Sequence, residues 1–141
     1  MSTPPAPATT MEPKFHSLME FDGRQEPIEA CYKQLALVRI QRDRQVKRVE
    51  MLTDELKKNS THSAYDELKN QKEALRDIHL YYLDTAEATL SRDKDTQRKS
   101  TEAELLEEYR ATAMAPFDNA AKTEKRYTDQ AEANEERRRS T

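Results

Sequence analysis

The side chains able to do chemistry are few and scattered. The chain carries three histidines (His16, His62 and His79) and one thiol, Cys31. His62 and Asp66 stand four residues apart, which would set two ligands on one helix face. Two ligands do not complete a metal site, so the pair reads as two solvated groups at a helix start. His79 and Tyr82 could exchange a proton, but no pocket signal surrounds them. They read as neighbours along a helix seam. Cys31 falls on an apolar row and reads as a buried, inert thiol. A dinucleotide fingerprint needs three glycines and a phosphate loop two. This chain has one, Gly23, and it lacks the zinc-protease pattern HExxH. The expectation is a protein that is not an enzyme, with no cofactor and no metal.

Charge offers one further candidate. Residues 39–48 (RIQRDRQVKR) hold Arg39, Arg42, Arg44, Lys47 and Arg48 against a single acid, Asp43. Arg137, Arg138 and Arg139 form a second basic run. Such a patch can neutralise nucleic-acid phosphates. The chain as a whole carries a formal charge of −3, and no aromatic residue is interleaved in the patch. A solvated helix face, balanced by acids such as Glu102, Glu104, Glu107 and Glu108, is the preferred reading.

The elements that must position these groups are helices. Charged residues make up 36% of the 141 residues, and Leu, Ile, Val and Phe together number only 21. Fifteen Leu, Ile and Val residues crowd into positions 28–90, so a thin core is expected there. Neither Pro nor Gly occurs from 28 to 115, which favours long helices. The spacing predicts a first helix starting near Pro27 with two seam rows. One is Ile28, Leu35, Arg42, Val49 and Leu56; the other is Cys31, Val38, Gln45 and Leu52. Residues 57–62 (KKNSTH) read as a turn, and Ser63 as the N-cap of a second helix. Leu68, Leu75, Ile78, Tyr82, Leu83, Ala86 and Leu90 form its apolar side. The fold class expected is all-α: an antiparallel, coiled-coil-like helical hairpin with a short third helix and disordered tails.

Reversal near Ser60 sets a register. Leu52 should meet Leu68, Val38 should lie near Tyr82, Cys31 near Leu90, and Arg42 should contact Asp77. Residues 91–102 are almost wholly polar, either a loop or exposed helix. A capping box at Thr101 and Glu104 favours a separate short helix there. It would fold Leu105, Leu106, Tyr109 and Ala113 back on the hairpin, and Pro116 would end it. Residues 118–139 predict a weak Ala-rich helix anchored by Ala120, Tyr127 and Ala131, fraying into the arginines. The chain then divides into three regions: a Pro-rich tail with a short apolar patch (1–26), the hairpin with its third helix (27–115), and a charged C-terminal segment (116–141).

Tyr65-Asp66, followed by Lys69, Gln71, Lys72 and Leu75, is similar in pattern to the opening of the second helix of tubulin-binding cofactor A, a small three-helix chaperone. The likeness needs a one-residue gap and covers about half the chain. The proline break that family carries between its second and third helices is missing here. The hairpin composition also resembles the coiled-coil start of some retroelement gag polyproteins. These resemblances imply a small helical chaperone or a nucleic-acid-associated helical protein as alternatives.

The preferred expectation is a protein–protein interaction module, a subunit or adaptor in a larger assembly. It would meet protein partners or copies of itself through its helices. Phe15, Leu18, Met19 and Phe21 form one candidate docking patch, or equally a cap on the open end of the hairpin, and an exposed cluster of Leu105, Leu106 and Tyr109 forms the other candidate. No stretch nears the roughly 20 apolar residues of a membrane span. The lone cysteine points to a reducing compartment, cytoplasmic or nuclear.

Overall fold

The computed structural model describes residues 17–140, and every element longer than one turn is an α-helix. Helix α1 spans Ile28–Lys58 and α2 spans His62–Arg92. Three residues join them, so the helices run antiparallel and pack along their length. Pro27 precedes α1; it lacks the N–H that a helix start leaves unbonded, and its carbonyl accepts from the amides of Ala30 and Cys31. Asn59 ends the helix, its N–H bonded to the Glu55 carbonyl at 2.7 Å. Thr61, not Ser63, caps α2: its hydroxyl accepts from the Ala64 amide at 3.1 Å.

The seam lies close to where the spacing puts it. Cys31, Leu35, Val38, Gln45, Val49 and Leu56 are buried, and Ile28, Arg42 and Leu52 are partly so. On α2, Leu68, Leu75, Ile78, Tyr82 and Ala86 are buried. Val38 and Tyr82 share one apolar cluster, as the register expects. Leu52 packs against the cluster that holds Leu68. An amide layer separates Val38 from Val49 along α1. Gln45 Nε2 donates to Gln71 Oε1 at 2.8 Å and to the Gln71 carbonyl at 2.9 Å. Gln71 Nε2 passes the chain on to Glu67. The buried amides thus keep hydrogen bonds, which removes the main penalty of burying them.

Residues 91–102 hold a turn and then helix. Helix α3 spans Thr96–Thr112, starting five residues ahead of the expected Thr101 box. Asp95 is the true cap, accepting from the amides of Gln97 and Arg98 at 3.1 Å. Thr101 instead lies inside the helix, its hydroxyl donating to the Gln97 carbonyl. Helix α4 spans Ala115–Ser140. Pro116 therefore opens α4 and does not close α3. Its missing N–H cannot serve the Thr112 carbonyl, the i−4 acceptor of a continuous helix. Arg42 Nη2 donates to that carbonyl at 3.4 Å.

Ala113 keeps right-handed helical angles, so α3 and α4 continue one another as a broken rod. The rod descends antiparallel to α2. Leu106, Tyr109 and Ala113 join Leu35, Val38, Ile78 and Tyr82 near the open end of the hairpin. Ala120 joins Val49, Leu56, Leu68 and Leu75 near the turn, with Phe117 and Tyr127 against them. Tyr127 stacks on Tyr65 at 4.7 Å between centroids. Since α2 starts at His62, the end of α4 beyond Thr128 lies past the turn. Residues 129–140 are all exposed yet helical. Ala131, expected as an anchor, is among them.

Candidate partner-binding surfaces

The open end of the hairpin is closed by the chain that precedes α1. Leu18 and Met19 pack on the open-end cluster, and Phe21 is half-buried. The Leu18 carbonyl accepts from Gln34 Nε2 and from the Tyr81 hydroxyl, which also donates to the Phe21 carbonyl. Phe15 lies outside the described residues. Gly23 sits against Cys31 and its carbonyl accepts from the Arg92 guanidinium. A Cβ at Gly23 would stand 3.2 Å from Cys31 Sγ, so close approach is what this position requires. Cys31 is itself buried, and Arg92 Nη1 lies 3.4 Å from its Sγ.

The second expected docking cluster is corrected. Leu106 and Tyr109 are in the core, 4% and 6% exposed, and only Leu105 is partly open. The reason is the rod: α3 has too few apolar residues to leave these outside. Tyr109 is the centre of an aromatic stack. His79 lies parallel to it at 5.4 Å, Tyr82 at 4.3 Å, and the Arg42 guanidinium 4.7 Å above its ring. His79 Nδ1 is 3.1 Å from the Tyr109 hydroxyl. Burial pushes the Tyr109 phenol up to about 12. Burial, then the Arg42 charge, lowers His79 below the ordinary imidazole range. The Arg42–Asp77 contact does not form, because Arg42 turns to Tyr109 and Thr112 while Asp77 faces water.

The basic run is divided by the same rod. Arg39 pairs with the buried Glu102 at 2.6 Å and donates to the Tyr82 hydroxyl at 3.0 Å. Arg39 and Arg42 therefore face α3, and Arg48 is half-buried with Nη1 3.3 Å from Gln45 Oε1. Arg44 and Lys47 remain exposed on the opposite side of α1. His62 and Asp66 do approach, at 3.4 Å, and both are exposed. Among the described residues no further His, Cys, Asp or Glu joins them in a metal-binding group.

Asp93 anchors the start of the rod. It accepts from Tyr32 at 2.6 Å, from both arms of Arg98 at 2.8 Å, and from the Asp95 amide at 3.0 Å. The Arg98 hydrogen bonds hold its carboxyl well below the usual carboxylate range. Glu102 is one of the acids that charge balance sets against the basic run, and it meets Arg39; nothing in the sequence marks Asp93. Both lie in the polar stretch where only charge pairing, not periodicity, could have marked them.

Among the described residues, two surfaces stay uncovered. On α1, Leu37 (47% exposed), Ile40 (49%) and Met51 (71%) face water. Together with Arg44 and Lys47 they follow 3-4-3-4 spacing, a second heptad row on the side away from α2. Between α2 and the head of α4 runs an open groove of about 820 Å³, floored by Leu80, Met114 and Phe117 and edged by Lys69 and Arg76. No helix among the described residues is long and apolar enough to cross a membrane. No family model matches the chain, nor does any curated protein or solved structure. The likeness to tubulin-binding cofactor A accordingly rests on pattern alone.

Proposed function

We propose that this chain is a non-enzymatic helical interaction module, a subunit or adaptor, whose α1–α2 hairpin winds as a short coiled coil and offers the outer face of α1 to a protein partner. The observation that carries this is the second heptad row. A helix with one apolar seam is satisfied by its hairpin partner. Helix α1 has two, and the row of Leu37, Ile40 and Met51 has nothing over it among the described residues. Exposed apolar side chains at heptad spacing, here at the two ends of a row with Arg44 and Lys47 between them, fit the docking of another helix. The alternative use of the basic run on nucleic acid has less support. Arg39 and Arg42 are engaged with Glu102, Tyr82 and Tyr109, which leaves Arg44 and Lys47 as its fully exposed cations.

The test is an affinity capture with crosslinking, comparing the native chain with a Leu37→Glu/Ile40→Glu/Met51→Glu variant. All three sites are exposed, so helicity and melting should stay within the small range of surface changes. Partners crosslinked to α1 should disappear from the variant. Retention of the same partners in full would reject this face as the binding surface. Filter binding to duplex DNA or RNA at two salt concentrations separates the alternative, since phosphate contacts give a steep salt slope.

A further inference from the structure

The outer row of α1 has charge at its middle as well as apolar ends. Arg44 and Lys47 stand one turn apart between Ile40 and Met51, both exposed, and neither has an ion pair among the described residues. This arrangement disfavours face-to-face packing of two α1 helices, which would bring four cations together. It calls for a helix with acids one turn apart. The chain has such a helix, and it is bare. Residues 129–140 run past the hairpin turn as helix, and every one of them is exposed. Glu132 and Glu136 share one side of it at i, i+4 spacing, with the small Ala133 beside them. Neither carboxylate has an ion pair among the described residues, whereas Glu135 is taken by Arg138 and Arg139.

At 1.5 Å per residue the row from Leu37 to Met51 is about 21 Å long and residues 129–140 extend about 17 Å, enough to cover its charged middle and the Met51 end. The charges also choose a direction. Laid parallel to α1, with Glu132 beside Arg44 and Glu136 beside Lys47, the tail brings Arg139 to Glu50. Laid antiparallel, it brings Asp129 against Glu50. Both arrangements match two opposite-charge pairs, but the parallel one places a cation beside Glu50 where the antiparallel one places an acid.

We infer that the exposed C-terminal end of α4 in one copy docks, parallel, on the outer row of α1 in a second copy. This rests on the reading of that row as an interaction surface and names its occupant. A single copy cannot satisfy itself, because the tail leaves the bundle beyond the turn. The contact is heterologous: row and tail are different surfaces, so each copy keeps one of each free for the next. Such contacts propagate into rings or open chains.

Sedimentation velocity over a concentration series tests this on the full chain. Weight-average mass should rise with concentration at low ionic strength and fall back as salt screens the pairs. Residues 129–140 are all exposed, so a chain ending at Thr128 should keep its melting temperature and run as a monomer. Arg44→Glu/Lys47→Glu and Glu132→Lys/Glu136→Lys should each weaken association by roughly tenfold or more. Mixing these two variants should restore it, since each then offers the other matched charges. A chain that is monomeric at all concentrations overturns the inference, as does association unaffected by the tail deletion. If association survives that deletion but is lost in the Leu37→Glu/Ile40→Glu/Met51→Glu variant, the row is an interface with a different occupant, and the proposed function stands without this inference.

Discussion

At the scale of single residues, much of this interior is polar and its members depend on one another. Asp93 is the clearest case, with four donors converging on one carboxylate. Its folded pKa is depressed, so the stabilisation it gives is complete above the unfolded value of about 4 and is lost as pH falls below it. Asp93→Asn should therefore melt lower than the native chain at pH 7, with the difference shrinking on acidification toward pH 2. A constant difference across that range would remove the linkage. His79 works in the same direction at higher pH. Held below its ordinary value by burial and Arg42, it favours the fold above about pH 6.5 and less so below. His79→Gln should flatten the stability profile between pH 7 and 5, read by chemical denaturation at each pH. The amide layer gives a third expectation. Gln45→Leu removes both bonds that Gln45 gives Gln71 and should cost about 1–3 kcal/mol, read by denaturant titration.

At the scale of elements, what could be read from the sequence was what periodicity encodes. Leu35, Val38, Val49 and Leu56 on one helix and Leu68, Leu75 and Ile78 on the other repeat at heptad spacing, and all are buried. The turn was legible too, because Asn59, Ser60 and Thr61 interrupt two strong helix formers. The cap was misplaced by two residues, since Thr61 and Ser63 are chemically alike and both sit ahead of the apolar row. The start of α3 was hidden for a different reason. It is set by Asp93 and Asp95 in a run with no apolar residue, and it is held by Arg98 and Arg39 through ion pairs that no hydrophobic pattern records. Pro116 carries an ambiguous sign: the same missing N–H that stops one helix suits the first turn of the next. The docking cluster at Leu106 and Tyr109 was misjudged because exposure depends on where α3 lies, and its own sequence does not say. Thr61→Ala and Asp95→Ala should each lower stability by about 0.5–2 kcal/mol. Denaturant titration checks both, and Thr101→Ala should be nearly silent beside them.

At the scale of the whole molecule, the three rods differ in how far the chain must search to make their contacts. The hairpin closes over residues 59–61, so its first pairings are almost adjacent in sequence. The bonds that tie the third rod to α1 join residues far apart, Tyr32 to Asp93 across 61 positions and Arg39 to Glu102 across 63, whereas those to α2, such as Tyr82 to Glu102 across 20, are nearer. The entropy of loop closure rises with that separation and must be met before the contact gives anything back. The expected order of assembly is therefore α1 against α2 first, with the contacts of α3 and α4 to α1 forming late. In stopped-flow experiments, Leu56→Ala should slow refolding, whereas Leu106→Ala should mainly hasten unfolding. A chain still emerging from the ribosome would meet the same sequence of events. Until Tyr109 is synthesised, Ile78 and Tyr82 have no cover from the third rod, so the nascent hairpin passes through an interval in which it is open to whatever helix reaches it first.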